Sequence, residues 1–132
     1  MRDKQKLRMW INYVCTTENF SPTDVSVVFC SDDYLFRLNL EYLNHDTLTD
    51  ILTFDYSEEG KRELAGEIYI SLERIRENAR KFDVRVRDEL HRVIIHGFLH
   101  MMSYDDHSDR DRLNMRAAED KYLSLRPEFG IE

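Results

Sequence analysis

Apolar residues recur at helical spacing in KLRMWINYV. Leu7, Trp10, Ile11 and Val14 fall on one face, which predicts a first amphipathic helix. VSVVFC, residues 25–30, is β-branched and aromatic and predicts a buried strand. Ser31, Asp32 and Asp33 then open a helix that runs to about Tyr42. The polar stretch NHDTLTD, residues 44–50, reads as a turn. ILTFDY and GEIYI are two further strands, joined by a hairpin turn at EEGKRE. Ser71 is placed to cap a helix from about Leu72 to Phe82. Another helix covers about Val86 to Met102. Ser108 with Asp111 resembles a capping box that opens a last helix through about Leu125.

The predicted order is therefore α-β-α-β-β-α-α-α. Neighbouring ILTFDY and GEIYI should pair antiparallel, giving a small mixed β-sheet flanked by helices, an α/β (α+β) fold. At 132 residues the chain fits one domain, residues 1–132, around one core. No apolar run approaches the length of a membrane span or a signal peptide. Two cysteines, Cys15 and Cys30, are too few for a disulfide framework and read as reduced thiols of a cytoplasmic protein.

A net charge of −7 is not the electrostatic footprint of a general nucleic-acid binder. The sum conceals a basic segment, however. Seven of the 19 basic residues lie between Glu73 and Arg92, interleaved with five acids. Such interleaving predicts a solvated face with helical ion pairs, or a basic rim beside a site.

The chemistry concentrates in HGFLHMMSYDDH, residues 96–107. Residues four apart share a helix face, so His96 and His100 can offer two ring nitrogens to one ion. Gly97 stands inside that helix, where glycine costs about 1 kcal/mol against alanine. A close approach by another backbone or by substrate would account for it. Asp106 and His107 follow the helix end, and a chain doubling back after Met102 could bring either to the ion. Three protein ligands and one open position make a catalytic zinc site. Zinc lowers the pKa of bound water toward 7 and polarises an acyl or phosphoryl oxygen. A zinc peptidase would carry glutamate where Gly97 stands, so peptidase chemistry lacks its base. Arg92, one turn before His96, suits a phosphate group through bidentate contacts, or else pairs with Asp88 or Glu89.

On these residues the chain resembles the YbeY ribosomal-RNA maturation endoribonucleases. The family pattern H-G-x-L-H-x-x-G-Y-D-H meets H-G-F-L-H-M-M-S-Y-D-D here. A second stretch, LNLEYLNHDTLTDILTF, matches at Asn39, Tyr42, Asp46, Thr49, Asp50, Leu52 and Phe54, and GEIYIS matches a third. The motifs occur in the family's order and span nearly the whole chain.

The resemblance implies a zinc-dependent, single-strand-directed endoribonuclease of the cytoplasm, with one zinc per chain at the end of a central helix. It implies a role in 3′-end maturation of 16S ribosomal RNA and in ribosome quality control. Partners would be single-stranded rRNA, the small ribosomal subunit and its assembly proteins, with a monomer expected. The family's third ligand, ten residues after the first, falls on Asp106. The expected metal set is His96, His100 and Asp106, with His107 as the alternative third ligand. Two histidines and a carboxylate also suit iron or another divalent metal. Arg92 joins this set as a catalytic residue, and Thr49, Asp50 and Arg92 are expected at the substrate; Asp105 and His107 are candidate bases. Leu43 stands where the family has an arginine, with His45 or Arg92 as possible substitutes. Ser103 stands where it has a glycine, which would strain the serine if the turn needs a positive φ. Family members usually carry a strand before the first helix. Other readings are a non-catalytic, metal-stabilised ribosome assembly factor and a hydrolase of another substrate.

Overall fold

A computed structural model describes residues 4–43 and 49–131. Among these residues five α-helices surround a three-stranded sheet: α1 (Lys4–Thr17), β1 (Ser21–Cys30), α2 (Asp32–Leu43), β2 (Ile51–Asp55), β3 (Glu63–Ser71), α3 (Leu72–Phe82), α4 (Val86–Met101) and α5 (Asp109–Leu123). A 3₁₀ turn at Arg126–Phe129 follows. The sheet order is β1-β3-β2. β1 runs parallel to β3, and β2 antiparallel to it, so the sheet is mixed as the apolar pattern predicts.

The helix faces are those of the sequence pattern. Leu7, Trp10 and Val14 are buried, with Cys15 beside them. Trp10 Nε1 donates to the carbonyl of Tyr122 at 2.9 Å, tying α1 to α5. Ser71 caps α3, accepting from the Arg74 amide at 3.1 Å, and Ser108 caps α5, accepting from the Asp111 amide at 3.0 Å. Glu77–Arg80 and Arg85–Asp88 ion pairs dress the basic segment as a solvated helical face.

Three boundaries differ from expectation. β1 starts at Ser21, not Val25, because the chain pairs with β3 from Ser21↔Glu63 onward, with a register shift before Asp24. Pro22, which lacks an amide donor, is tolerated because β1 lies at the sheet edge. β3 likewise begins at Glu63, inside the expected hairpin turn. α5 ends at Leu123, where the chain tightens into the turn around Pro127. Residues 44–48, which include His45 and most of the expected turn, lie outside the described residues.

α4 runs through the centre of the fold. Val93, Ile94, Ile95, Phe98, Leu99 and Met101 are all buried. This helix carries His96 and His100, so the core holds both at a fixed height and angle. Gly97 is the point where the helix meets the sheet. A Cβ there would stand 2.9 Å from Ile51 Cδ1 and 3.2 Å from two carbons of Ile68. The close approach anticipated at Gly97 thus comes from sheet side chains, not from another backbone or a substrate.

Candidate metal centre

His96 and His100 stand one helical turn apart and meet edge to face, ring centroids 4.6 Å from each other. α4 closes at Met102, and the next residue, Ser103, takes φ 78°. This left-handed step reverses the chain; the Tyr104 amide donates back to Leu99 O at 3.0 Å. Tyr104 Oη donates to Glu18 Oε1 at 3.1 Å, pinning the turn against the residue that follows α1. The returning segment brings Asp106 Oδ2 to 3.4 Å from His100 Nε2. The next turn is secured by Arg112, whose Nη1 donates to the Asp106 carbonyl at 3.0 Å.

His96, His100 and Asp106 can each offer a ligand atom, and the three atoms lie within 4.8 Å of one another. Among the described residues this is the one such group. His107 is outside it: its side chain is 84% exposed and faces Asp105 at 3.9 Å.

A partner from α5 completes the geometry. His96 Nδ1 donates to Glu119 Oε2 at 2.7 Å. Glu119 is only 4% exposed, and Arg92 Nη1 pairs with its other oxygen at 2.8 Å. Arg92 Nη2 reaches Asp120 at 2.6 Å. Burial alone would lower the pKa of the His96 imidazolium. The bond to Glu119 and the charges of Glu119, Asp50 and Asp106 outweigh it and raise the pKa. The donor set suits a divalent metal. Glu119 occupies Nδ1 and fixes the tautomer, leaving Nε2 of His96 as the lone-pair nitrogen.

The cleft beside these residues has a volume of about 310 Å³. Asp50 lines it, as anticipated, and burial raises the pKa of its carboxyl despite the lowering effect of His96 and Arg74. Thr49 does not line it; its hydroxyl donates to Ile51 O at 3.1 Å and shapes the entry to β2. Arg92 lines the cleft, but both terminal nitrogens are taken by carboxylates other than the expected Asp88 or Glu89. Glu89, Arg112, Arg116 and Glu119 also line it. Of the four, the sequence singles out Glu89 alone, and that as a partner for Arg92; the other three do not stand out. They lie on helix faces whose meeting is a matter of tertiary packing.

The family model for Endoribonuclease YbeY matches residues 2–126. The chain belongs to the YbeY endoribonuclease family. It is 48% identical over 125 residues to the Endoribonuclease YbeY of Flavobacterium psychrophilum, covering 95% of this chain and 88% of that protein. It is 46% identical over 124 residues to that of Porphyromonas gingivalis, covering 93% and 81%. The solution structure of TM1509 from Thermotoga maritima superposes with a TM-score of 0.68 at 32% identity, covering 92% of this chain and 79% of that one. Apart from residues 44–48, the YbeY motifs quoted from the sequence thus sit on a fold of the same kind, a mixed sheet with helices. No helix among the described residues is long and apolar enough to cross a membrane.

Proposed function

We propose that this protein is a single-domain, metal-dependent endoribonuclease that acts on single-stranded ribosomal RNA in the cytoplasm, on or near the small ribosomal subunit. The observation that carries this reading is the convergence of His96, His100 and Asp106 within 4.8 Å, beside a cleft that His96 and Asp106 line, in a chain of the YbeY family. Zinc is the metal proposed, one per chain, held by those three residues. When bound it supplies Lewis-acid activation of water and of the scissile phosphate.

The chain's own residues divide the remaining work. Glu119 orients His96 and keeps its Nδ1 protonated. Arg92 neutralises Glu119 and Asp120, so we assign it to positioning rather than to phosphate contact. Arg112 holds the backbone of the Asp106 loop. Asp50 presents a carboxyl to the same cleft, where burial raises its pKa, and we assign it to carrying a proton there.

The test is incubation of purified protein with a single-stranded oligoribonucleotide, with and without chelator. Chelator-sensitive cleavage, lost in His96→Ala, is expected. Folded protein that binds zinc yet leaves RNA intact would overturn the enzymatic reading. Cosedimentation of that inactive protein with small subunits would favour an assembly factor instead.

A further inference from the structure

Four carboxylates, Asp50, Glu89, Asp106 and Glu119, face the metal-centre cleft together with Arg92, Arg112 and Arg116. Two of these arginines are committed. Arg92 is held by Glu119 and Asp120. Arg112 is held by the Asp109 carboxylate and the Asp106 carbonyl. Arg116 is different. It is exposed and makes no side-chain hydrogen bond or ion pair among the described residues, although its charge acts on the buried Glu89 carboxyl.

Its position is nevertheless fixed. Met115, Ala118 and Glu119 are buried on either side of it in α5, so its backbone cannot wander from the cleft. Arg116 also lines a second, larger cavity of about 750 Å³, whose walls include Phe82, Val84 and Arg126. It therefore stands where the two cavities adjoin.

We propose that Arg116 binds a backbone phosphate of the single RNA strand beside the metal centre. The strand would run from the metal-centre cleft into the adjoining groove. This rests on the endoribonuclease reading above. A guanidinium presents paired donors that match two phosphate oxygens. Arg116 breaks no existing ion pair to do so, whereas Arg92 and Arg112 would each abandon a carboxylate. It also offsets the repulsion that four carboxylates would exert on a polyanion entering the cleft.

The probe is a fluorescein-labelled single-stranded oligoribonucleotide, followed by anisotropy with chelator-treated protein and by steady-state cleavage with zinc-loaded protein. Arg116→Ala should weaken binding roughly tenfold and reduce the slope of log affinity against log salt by about 0.7. Arg116→Glu should weaken it further and Arg116→Lys should recover part of the loss. KM should rise more than kcat falls. Arg110→Ala, an exposed arginine of the same helix outside both cavities, should change neither. Zinc stoichiometry and circular dichroism should be unaltered in every variant. Wild-type cleavage with unchanged affinity and salt slope in Arg116→Glu would overturn this assignment and leave the endoribonuclease reading standing. Wild-type protein that neither binds nor cleaves RNA would overturn both.

Discussion

Glu119 on α5 accepts a 2.7 Å hydrogen bond from His96 on α4, although 23 residues separate them. It is nearly fully buried, and Arg92 compensates its charge. Buried carboxylates are costly unless paired, and this one is paired twice. Groups that orient a ligating histidine typically support metal affinity by 10- to 100-fold. Glu119→Gln keeps an oxygen toward His96 but removes the charge, and also leaves Arg92 with one partner. Zinc affinity, measured by competition with a chromogenic chelator, should fall by about 10- to 100-fold in this variant. Unchanged affinity would show that the bond is incidental to the metal.

The contrast between His100 and Glu119 marks how far the sequence could be read. His96 and His100 lie on one helix, so a spacing of four specifies their relation before any fold is known. The periodicity of Leu7, Trp10 and Val14, the adjacency of β2 and β3, and the caps at Ser71 and Ser108 are equally local, and each appears where it was anticipated. Glu119 is one of several acids on a charged helix, and nothing local sets it apart from Asp120. Only the packing of α5 on α4 selects it. The early start of β1 has the same cause, since Ser21 and Pro22 enter the strand through long-range pairing with β3. Ser103 is intermediate: the resemblance identified it as a non-glycine residue at a glycine position, and its φ of 78° shows the turn does take the left-handed form.

Asp106 and His107 are adjacent, yet only Asp106 turns toward His100. Asp106→Ala should reduce zinc content from about one per chain toward zero, because three protein ligands are the minimum of such catalytic sites. His107→Ala should retain full zinc content. Elemental analysis of both variants checks this, and loss of metal in His107→Ala alone would reverse the assignment.

His91 supplies a pH dependence unrelated to the metal. It is buried beside Trp10 and accepts a hydrogen bond from Arg126 at Nδ1, 2.8 Å away. Burial and the neighbouring Arg126 charge lower its pKa to about 4. An unfolded histidine titrates near 6.5, so between about 6.5 and 4 the unfolded chain binds the extra proton and the folded one does not. Stability conferred by neutral His91 is therefore complete above about pH 6.5 and declines as pH falls toward 4. The contribution is on the order of 3 kcal/mol. Urea unfolding at several pH values should show this decline in the wild type and a flatter profile in His91→Gln. Equal slopes for the two proteins would remove His91 as the cause.

Gly66 and Gly97 both sit at close contacts, but what they touch differs in kind. A Cβ on Gly66 would stand 2.2 Å from the carbonyl oxygen of Phe54, the backbone of the neighbouring strand. Relieving that clash means separating β2 from β3, with loss of ladder hydrogen bonds along the hairpin. A Cβ on Gly97 meets the side chains of Ile51 and Ile68, which can shift by a few tenths of an ångström. Overpacking of this sort costs about 1–3 kcal/mol, and alanine returns about 1 kcal/mol of helix propensity. Gly97→Ala should therefore cost about 1 kcal/mol net, and Gly66→Ala clearly more, about 3 kcal/mol or above, by the same contact argument. Denaturant midpoints of the two variants give the order directly. Because β2 begins just after Asp50, Gly66→Ala should also disturb the cleft, while Gly97→Ala should displace His96 and His100 together as one helix. Zinc binding that survives in Gly97→Ala would show that the helix moves as a unit, and a greater stability loss there than in Gly66→Ala would refute the contact argument.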